Sequence, residues 1–533
     1  MAKSKPAPAQ APRQVARTKQ VKQASSFSFD KFTMWLHLII IALTFWILYT
    51  SIFDHKPDMN GDNFAYMLLG KRLAAGLGFT NATTRELTPH NHFSPGYPAM
   101  IALFSKTVGD EQDTVSFMNG IMMFLSVIMT YFITKKLTAS PALAFAVAFL
   151  CAVNPILLRF STITMSEVPF VFIASICILT FIMAVDDKRG LKSPWLYVCI
   201  ANMGFAYYIK SNALAFAAGA GAYFIFARDW KRAVVTLAGF AIIVFPWYLR
   251  TKRVGSSYMD QMKFINPYKP ELGHLTTPTL ITRIYNNIIR YSTCDIPLNI
   301  FPSSTSFDKA PLSYWILGIV MLALMIWGLY KLKDIRLFIL GYFGGSLAIL
   351  MVWPTEYGFI RYVTPFTPVI LLLLLNGVKE LAALIIGESN TKFVPYAFVL
   401  LGFIYTKPIE DQQMQADQPI AANYANYFEI AKWAKANTPK DATFSARKPD
   451  MFIYYSDRLC VGDKPSLDDK EVMDFFRQNK VDYVVIEQLG FGSTGKYLVP
   501  AVQKNMDKFD VVLQLPNPDT YLLKFKDGKK TTN

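Results

Sequence analysis

Asp62 stands in the stretch Gly61-Asp62-Asn63-Phe64-Ala65-Tyr66, directly ahead of apolar residues at helical spacing (Phe64, Leu68, Leu69, Leu73). A carboxylate there has two possible jobs. It can take the proton of an attacking hydroxyl as a general base. It can instead cap the helix that follows, as Asp before a periodic apolar run commonly does. His90 and His92 follow in His90-Asn91-His92-Phe93-Ser94-Pro95. Two histidines at i, i+2 offer two metal ligands, too few for a site by themselves. Hydrogen bonding to a sugar or phosphate, or a purely structural loop role, fits them equally.

Three further charges fall at the ends of apolar runs. Glu167 opens one, in Ser166-Glu167-Val168-Pro169. It can cap that helix with favourable dipole placement, or line a polar cavity, since acids at membrane depth are functional candidates. Lys210 closes another, in Tyr208-Ile209-Lys210-Ser211-Asn212. It suits an anionic headgroup or phosphate; snorkelling to the interface is the alternative. Arg361 precedes a late apolar run, in Glu356-Tyr357-Gly358-Phe359-Ile360-Arg361-Tyr362. Its guanidinium can clamp a phosphate bidentately, or pair with Glu356. No Walker A, GxSxG, HExxH or dinucleotide fingerprint is present. The five cysteines form no CxxC, so a redox or metal centre is not expected, and Cys294 and Cys460 read as free thiols.

The elements that must carry these residues are membrane helices. The chain has 533 residues, 53% of them hydrophobic and only 17% charged, against about 25% charged in soluble domains. Its mean hydropathy is +0.27. Apolar runs of the length that crosses a bilayer are expected at 32–53, 114–134, 141–160, 166–185, 194–210, 212–227, 233–249, 312–330, 337–353, 362–381 and 393–406, about eleven in all. Gly341, Gly344 and Gly345 read as helix-packing positions. The net charge is +16, but residues 406–533 carry 18 basic and 18 acidic side chains. The surplus sits in the tail and the membrane region, which is topology signalling and not nucleic-acid binding.

Short basic connections at Lys135-Lys136, 188–192, 228–232 and 331–336 fall on one side of this arrangement. With the basic tail 1–31 they place the N-terminus in the cytoplasm. Loops 54–113 and 250–311 and the segment 407–533 then face the other side. Asn63–Ala75 and Pro95–Val108 read as interfacial helices. Residues 423–533 read as a small α/β domain, with a helix at 423–437 and strands at 481–487, 511–515 and 521–526. The domain division is thus a disordered tail (1–31), a membrane domain (32–406) and a soluble extramembrane domain (407–533). No internal repeat is evident, which disfavours transporters built on inverted repeats.

Taken together, these residues resemble the GT-C superfamily of integral-membrane glycosyltransferases, nearest the branch of protein O-mannosyltransferases and the lipid A aminoarabinose transferase. The resemblance rests on Asp62-x-x-x-Tyr66 in the first loop, on His92-Phe93-Ser94-Pro95, on Lys210 at a helix end, and on Arg361-Tyr362-x-x-Pro365-x-x-Pro368. Many relatives have a second acid beside the first; Asn63 stands there in this chain. The resemblance implies an all-α polytopic membrane protein with a small α/β domain at its C-terminus. It implies transfer of a sugar from a polyprenyl-phosphate donor to an acceptor hydroxyl on protein, lipid or glycan, with inversion. Asp62 would be the base. Tyr66, His90, His92, Glu167, Lys210, Glu356, Arg361 and Tyr362 would bind donor or substrate. No cofactor is implied, and Asn63 speaks against a metal-bridged acid pair. The rival readings are an oligosaccharyltransferase-like enzyme using a lipid diphosphate glycan, and a lipid-linked sugar transporter. A bacterial inner membrane with a periplasmic C-terminal domain is the expected location, Asn81-Ala82-Thr83 being the single N-glycosylation sequon.

Overall fold

The computed structural model describes residues 29–527, apart from 60–61, 110, 256, 268, 270–271, 303–311, 333 and 358–359. The basic tail up to residue 28, and with it most of the segment expected to be disordered, lies outside the described residues, as do Gly61 and Lys333.

Eleven expected apolar segments are all helical: α1 (Phe29–Ser51), α4 (Gln112–Thr138), α5 (Pro141–Val153) with α6 (Pro155–Ser161), α7 (Glu167–Asp186), α8 (Pro194–Ile209), α9 (Leu214–Phe226), α10 (Trp230–Val254), α12 (Leu312–Lys331), α13 (Arg336–Met351), α14 (Thr367–Ile386), and a tight-helix stretch at Phe398–Tyr405. Between α1 and α4 lie α2 (Asn63–Ala74) and α3 (Gly96–Ser105); α11 (Thr277–Arg290) precedes α12. Among the described residues six helices are long and apolar enough to cross a bilayer, seven if α5 and α6, bent by 57°, make one span. The remaining segments are apolar but shorter. Asn154 makes the bend: its Oδ1 accepts from the Ile156 and Leu157 amides and caps α6, and Pro155 cannot continue α5's hydrogen bonding.

Many large apolar side chains point outward, among them Ile47, Ile242, Ile319 and Ile326, each more than 60% exposed. An apolar exterior on this scale is what lipid, and not water, stabilises; the chain is an integral membrane protein. Inside, helices approach closely where side chains are absent. Gly328 of α12 faces Gly377 of α14 across backbone, and Gly341 of α13 lies on Gly219 of α9. Gly345 packs against Ala215, whereas Gly344 meets only its own helix. Two of the three glycines expected at helix contacts are thus at one.

The basic connections gather at one end of the bundle. Lys136 pairs with Asp186 at 2.6 Å, and Arg232 donates to the Ala184 carbonyl at 3.3 Å. The opposite end carries α2, α3 and the C-terminal unit. There, α15 (Thr406–Asp417) and α16 (Ala422–Asn437) lead into five strands, β1 (Thr443–Ser445), β2 (Leu459–Val461), β3 (Tyr483–Ile486), β4 (Phe509–Leu515) and β5 (Thr520–Phe525), with α17 (Pro449–Ser456) and α18 (Asp469–Gln478) between them. Strand order is β2-β1-β3-β5-β4, with β1 parallel to β2 and β3, and β5 antiparallel to β3 and β4. The expected helix and three strands are present. The sequence reading missed β1 and β2, three-residue strands too short to show an alternation.

Candidate active site

The site forms where three helix ends meet. α7 rises about 30 Å over its 20 residues and α8 returns antiparallel after a tight turn, so the start of α7 and the end of α8 lie side by side. Glu167 is the first residue of α7 and Lys210 the residue after α8. Lys210 Nζ donates to Glu167 Oε1 at 2.9 Å. Gly96, opening α3, lies so close to the Tyr208 backbone that a Cβ would meet it at 2.7 Å; this contact seats the 90–97 loop on Lys210's turn. Arg361 arrives from the short turns before α14. Its Nε lies 3.6 Å from Glu167 Oε1, and its Nη2 donates to Asp62 Oδ2 at 3.4 Å. The result is a chain of alternating charge, Asp62–Arg361–Glu167–Lys210, in which Glu167 is wholly buried.

Asp62 occupies the N-cap position of α2, yet its side chain makes no capping hydrogen bond. The cap reading therefore fails for the carboxylate, which turns to Arg361 and to a cavity. Tyr66, one turn on, donates to Ser166 Oγ at 3.2 Å, and burial raises its phenol well above the ordinary range.

Two cavities adjoin this charge chain and share a wall of His92 and Phe93. The first, about 220 Å³, is lined by Tyr66, Lys210, Arg250, Arg361 and Tyr362, by polar residues such as Ser166 and Asn212, and by the apolar Phe170, Trp247, Leu350 and Phe366. The second, about 330 Å³, is lined by Asp62, Asn81, Thr83, His90 and His92 on one side and by Lys448, Pro449, Asp450 and Met451 on the other. Asp62 thus faces one cavity while Lys210, Arg250 and Arg361 face the other.

His90 is held by its own loop. Its Nδ1 lies 2.6 Å from Asn81 Oδ1 and its Nε2 accepts from the Phe93 amide at 2.9 Å, which fixes the tautomer with the proton on Nδ1. Burial, with His92 and Arg250 adding, pulls its pKa down to about 3, so the ring is neutral. Burial also lowers the His92 pKa, Asp62 opposing and Arg361 adding. Asn81, the sequon asparagine, uses its amide on Thr88 and Pro89.

Two expected roles change. Glu167 lines neither cavity; it holds Lys210 and Arg361 from behind. Glu356 lines neither as well, and its Oε1 accepts from Asn266 at 3.0 Å, so it is not the partner of Arg361. Three residues absent from the sequence reading enter. Arg250 stacks on Trp247 and Phe79 (4.8 and 5.3 Å to the ring centres) and donates to the Phe79 and His90 carbonyls. It ends an apolar span opposite the basic loops, the same signal that singled out Lys210. Lys448 and Asp450 come from the C-terminal unit, and no sequence pattern marked them. Among the described residues no three His, Cys, Asp or Glu side chains gather as a metal set.

Comparison with known proteins gives the fold a context. Residues 91–249 match the family described as dolichyl-phosphate-mannose-protein mannosyltransferase. The structure of ArnT from Cupriavidus metallidurans bound to undecaprenyl phosphate superposes with a TM-score of 0.60 at 11% identity, over 92% of this chain and 98% of that one. The Archaeoglobus fulgidus oligosaccharyltransferase tethered to an acceptor peptide superposes with a TM-score of 0.59 at 14% identity, over 92% of this chain and 74% of that one. The archaeal enzyme AglB from the same organism, in complex with an inhibitory peptide and a dolichol-phosphate, gives 0.54 at 14% identity, over 86% and 69%. No curated protein matches the chain in sequence.

Proposed function

We infer that this chain, a membrane protein with the GT-C fold, is a glycosyltransferase that moves a sugar from a polyprenyl-phosphate donor to an acceptor hydroxyl. One observation carries the reading: a base candidate and a cluster of cations face two adjoining cavities, linked by the Asp62–Arg361 pair. The cavity of Lys210, Arg250 and Arg361 suits a lipid phosphate, with Phe170, Trp247, Leu350 and Phe366 against its hydrocarbon. The ArnT structure holds undecaprenyl phosphate, a lipid monophosphate, and here three cations balanced by Glu167 and Asp62 leave one net positive charge for one phosphodiester charge.

In the proposed reaction the acceptor hydroxyl enters from the Asp62 cavity. Its oxygen attacks the anomeric carbon, its proton passes to Asp62, and the carbon–oxygen bond to phosphate breaks. The polyprenyl phosphate departs as an anion that Lys210, Arg250 and Arg361 stabilise where the charge develops. Attack and departure on opposite faces invert the anomeric centre. Glu167 acts by holding the two cations, and neutral His92 and Tyr66 line the passage between cavities. Opposite placement of the site and the basic loops supports chemistry on the non-cytoplasmic face, periplasmic if the host is a bacterium, with the C-terminal unit on the same side.

The test is consumption of radiolabelled polyprenyl-phosphate monosaccharides by purified protein with a crude membrane acceptor pool, beside Asp62→Asn. Loss of a general base slows such steps by roughly 10²–10⁴. The Asp62–Arg361 pair is long and Asp62's side chain is 37% exposed, so the variant should fold normally. Undiminished transfer by Asp62→Asn would remove the catalytic role. Turnover only of diphosphate-linked glycans would favour the oligosaccharyltransferase-like alternative.

A further inference from the structure

We propose that the C-terminal unit builds half of the acceptor subsite, and that Lys448 and Asp450 there select a carbohydrate acceptor. The assignment rests on the transferase reading above. It starts from the cavity that Asp62 faces: one wall is the membrane unit's first loop, and the other is the opening turn of α17, Lys448-Pro449-Asp450-Met451.

That turn is fixed in place. Phe64, two residues after Asp62, is 3% exposed and packs on Tyr454 and Tyr455 of α17, with ring centres 5.2 and 5.8 Å away. Lys71 Nζ sits 4.6 Å from the Tyr454 ring centre. Arg85 donates to Thr443 Oγ1 and to the Asp441 carbonyl. The helix that begins at Asp62 and the sheet unit therefore share one seam, and the cavity lies along it.

The lining chemistry points to a sugar. A carboxylate accepts from two neighbouring hydroxyls, an ammonium donates to a third oxygen, and Phe93 and Met451 offer apolar surface to ring C–H groups. The cavity, about 330 Å³, is at the lower end of the range for small-molecule pockets, which suits one or two pyranose rings. Burial, with Asp62 adding, raises the Asp450 pKa to about 6, and burial lowers that of Lys448. Both side chains are only partly exposed, so hydrogen bonds to a ligand there gain more than in open water. With such an acceptor the transferred sugar's new bond is to a ring hydroxyl oxygen, whose proton goes to Asp62.

The experiment uses the full chain in lipid nanodiscs. Methyl pyranosides of gluco, manno and galacto configuration and a Ser/Thr-containing decapeptide are the probes, read by saturation-transfer NMR; undecaprenyl-phosphate hexose is the donor. The wild type should bind a pyranoside in preference to the peptide. Asp450→Asn and Lys448→Met should weaken that binding, and raise the acceptor KM, at least tenfold, with undecaprenyl phosphate binding unchanged. Asp450→Glu should recover part of the loss. Absence of pyranoside binding by wild type, variant affinities equal to wild type, or peptide binding that depends on Asp450 would each overturn the proposal. If no donor is consumed yet the pyranoside binds through Asp450, the transferase reading falls and the carbohydrate site stands. If donor is consumed and neither variant changes acceptor KM, the reverse holds.

Discussion

Glu167→Gln preserves the shape of a side chain with no solvent exposure and removes its charge. At an effective dielectric constant of about 20, a charge pair at the 2.9 Å of Lys210 attracts by about 6 kcal/mol, and one at the 3.6 Å of Arg361 by about 5 kcal/mol. Most of this offsets the cost of taking three charges out of water. Removing one partner of a buried pair leaves the others uncompensated and costs about 3–5 kcal/mol. Lys210 is 18% and Arg361 24% exposed, so both retain some solvent, and Arg361 retains Asp62; the lower figure is expected. At roughly 2 °C per kcal/mol for larger domains, the thermal midpoint in detergent should fall by about 6 °C. Adding Lys210→Met removes one stranded cation. The double variant should therefore lose less than the two single losses combined, by about 2 kcal/mol. A midpoint within about 1 °C of wild type, or strict additivity, would refute the clamp role and return Glu167 to a simple helix-start acid.

Arg250→Ala removes a cation from the phosphate cavity together with the hydrogen bonds to the 79–90 hairpin; undecaprenyl phosphate affinity, measured by native mass spectrometry, should fall at least tenfold, as expected for charge-assisted bonds of about 1.5–3 kcal/mol. Phe64→Ala empties the seam between α2 and α17 and should cost about 3–5 kcal/mol, seen as a lower thermal midpoint and faster proteolysis within 406–421. Acceptor affinity should rise as pH passes upward through about 6, where Asp450 gains its charge, and His90, with its pKa near 3, should add no limb to that profile. Stability should move the other way. Asp450 and Asp463 both stand at about 6, above the ordinary Asp value of about 3.9, so between these values the folded state binds more protons than the unfolded one. Stability then falls as pH rises from about 4 to about 6, and the denaturation midpoint of Asp450→Asn should show a shallower fall than wild type.

The helices of this protein are legible because lipid imposes a length and a composition on whatever crosses it, and both are local properties of the chain. The helices α2 and α3 are legible from apolar spacing and a Pro start. Asp62, Lys210 and Arg361 stood out because each is a charge at the end of an apolar run. Which of the charges pair did not stand out. Glu356 is five residues from Arg361, and proximity in sequence made it the natural partner; the structure gives that place to Glu167, 194 positions earlier in the chain.

The sequence by itself determined a membrane bundle with charged residues at helix ends, since hydropathy and the exclusion of unpaired charge from lipid act residue by residue. Tertiary structure decided which charges meet. The antiparallel return of α8 beside α7 put Lys210 on Glu167, and the close approach at Gly96 set the His92 loop over them. The docking of α17 on Phe64 then brought Lys448 and Asp450 to Asp62. Side chains nearly 400 residues apart become neighbours only when packing of distant helices closes the space between them, and no local pattern records that.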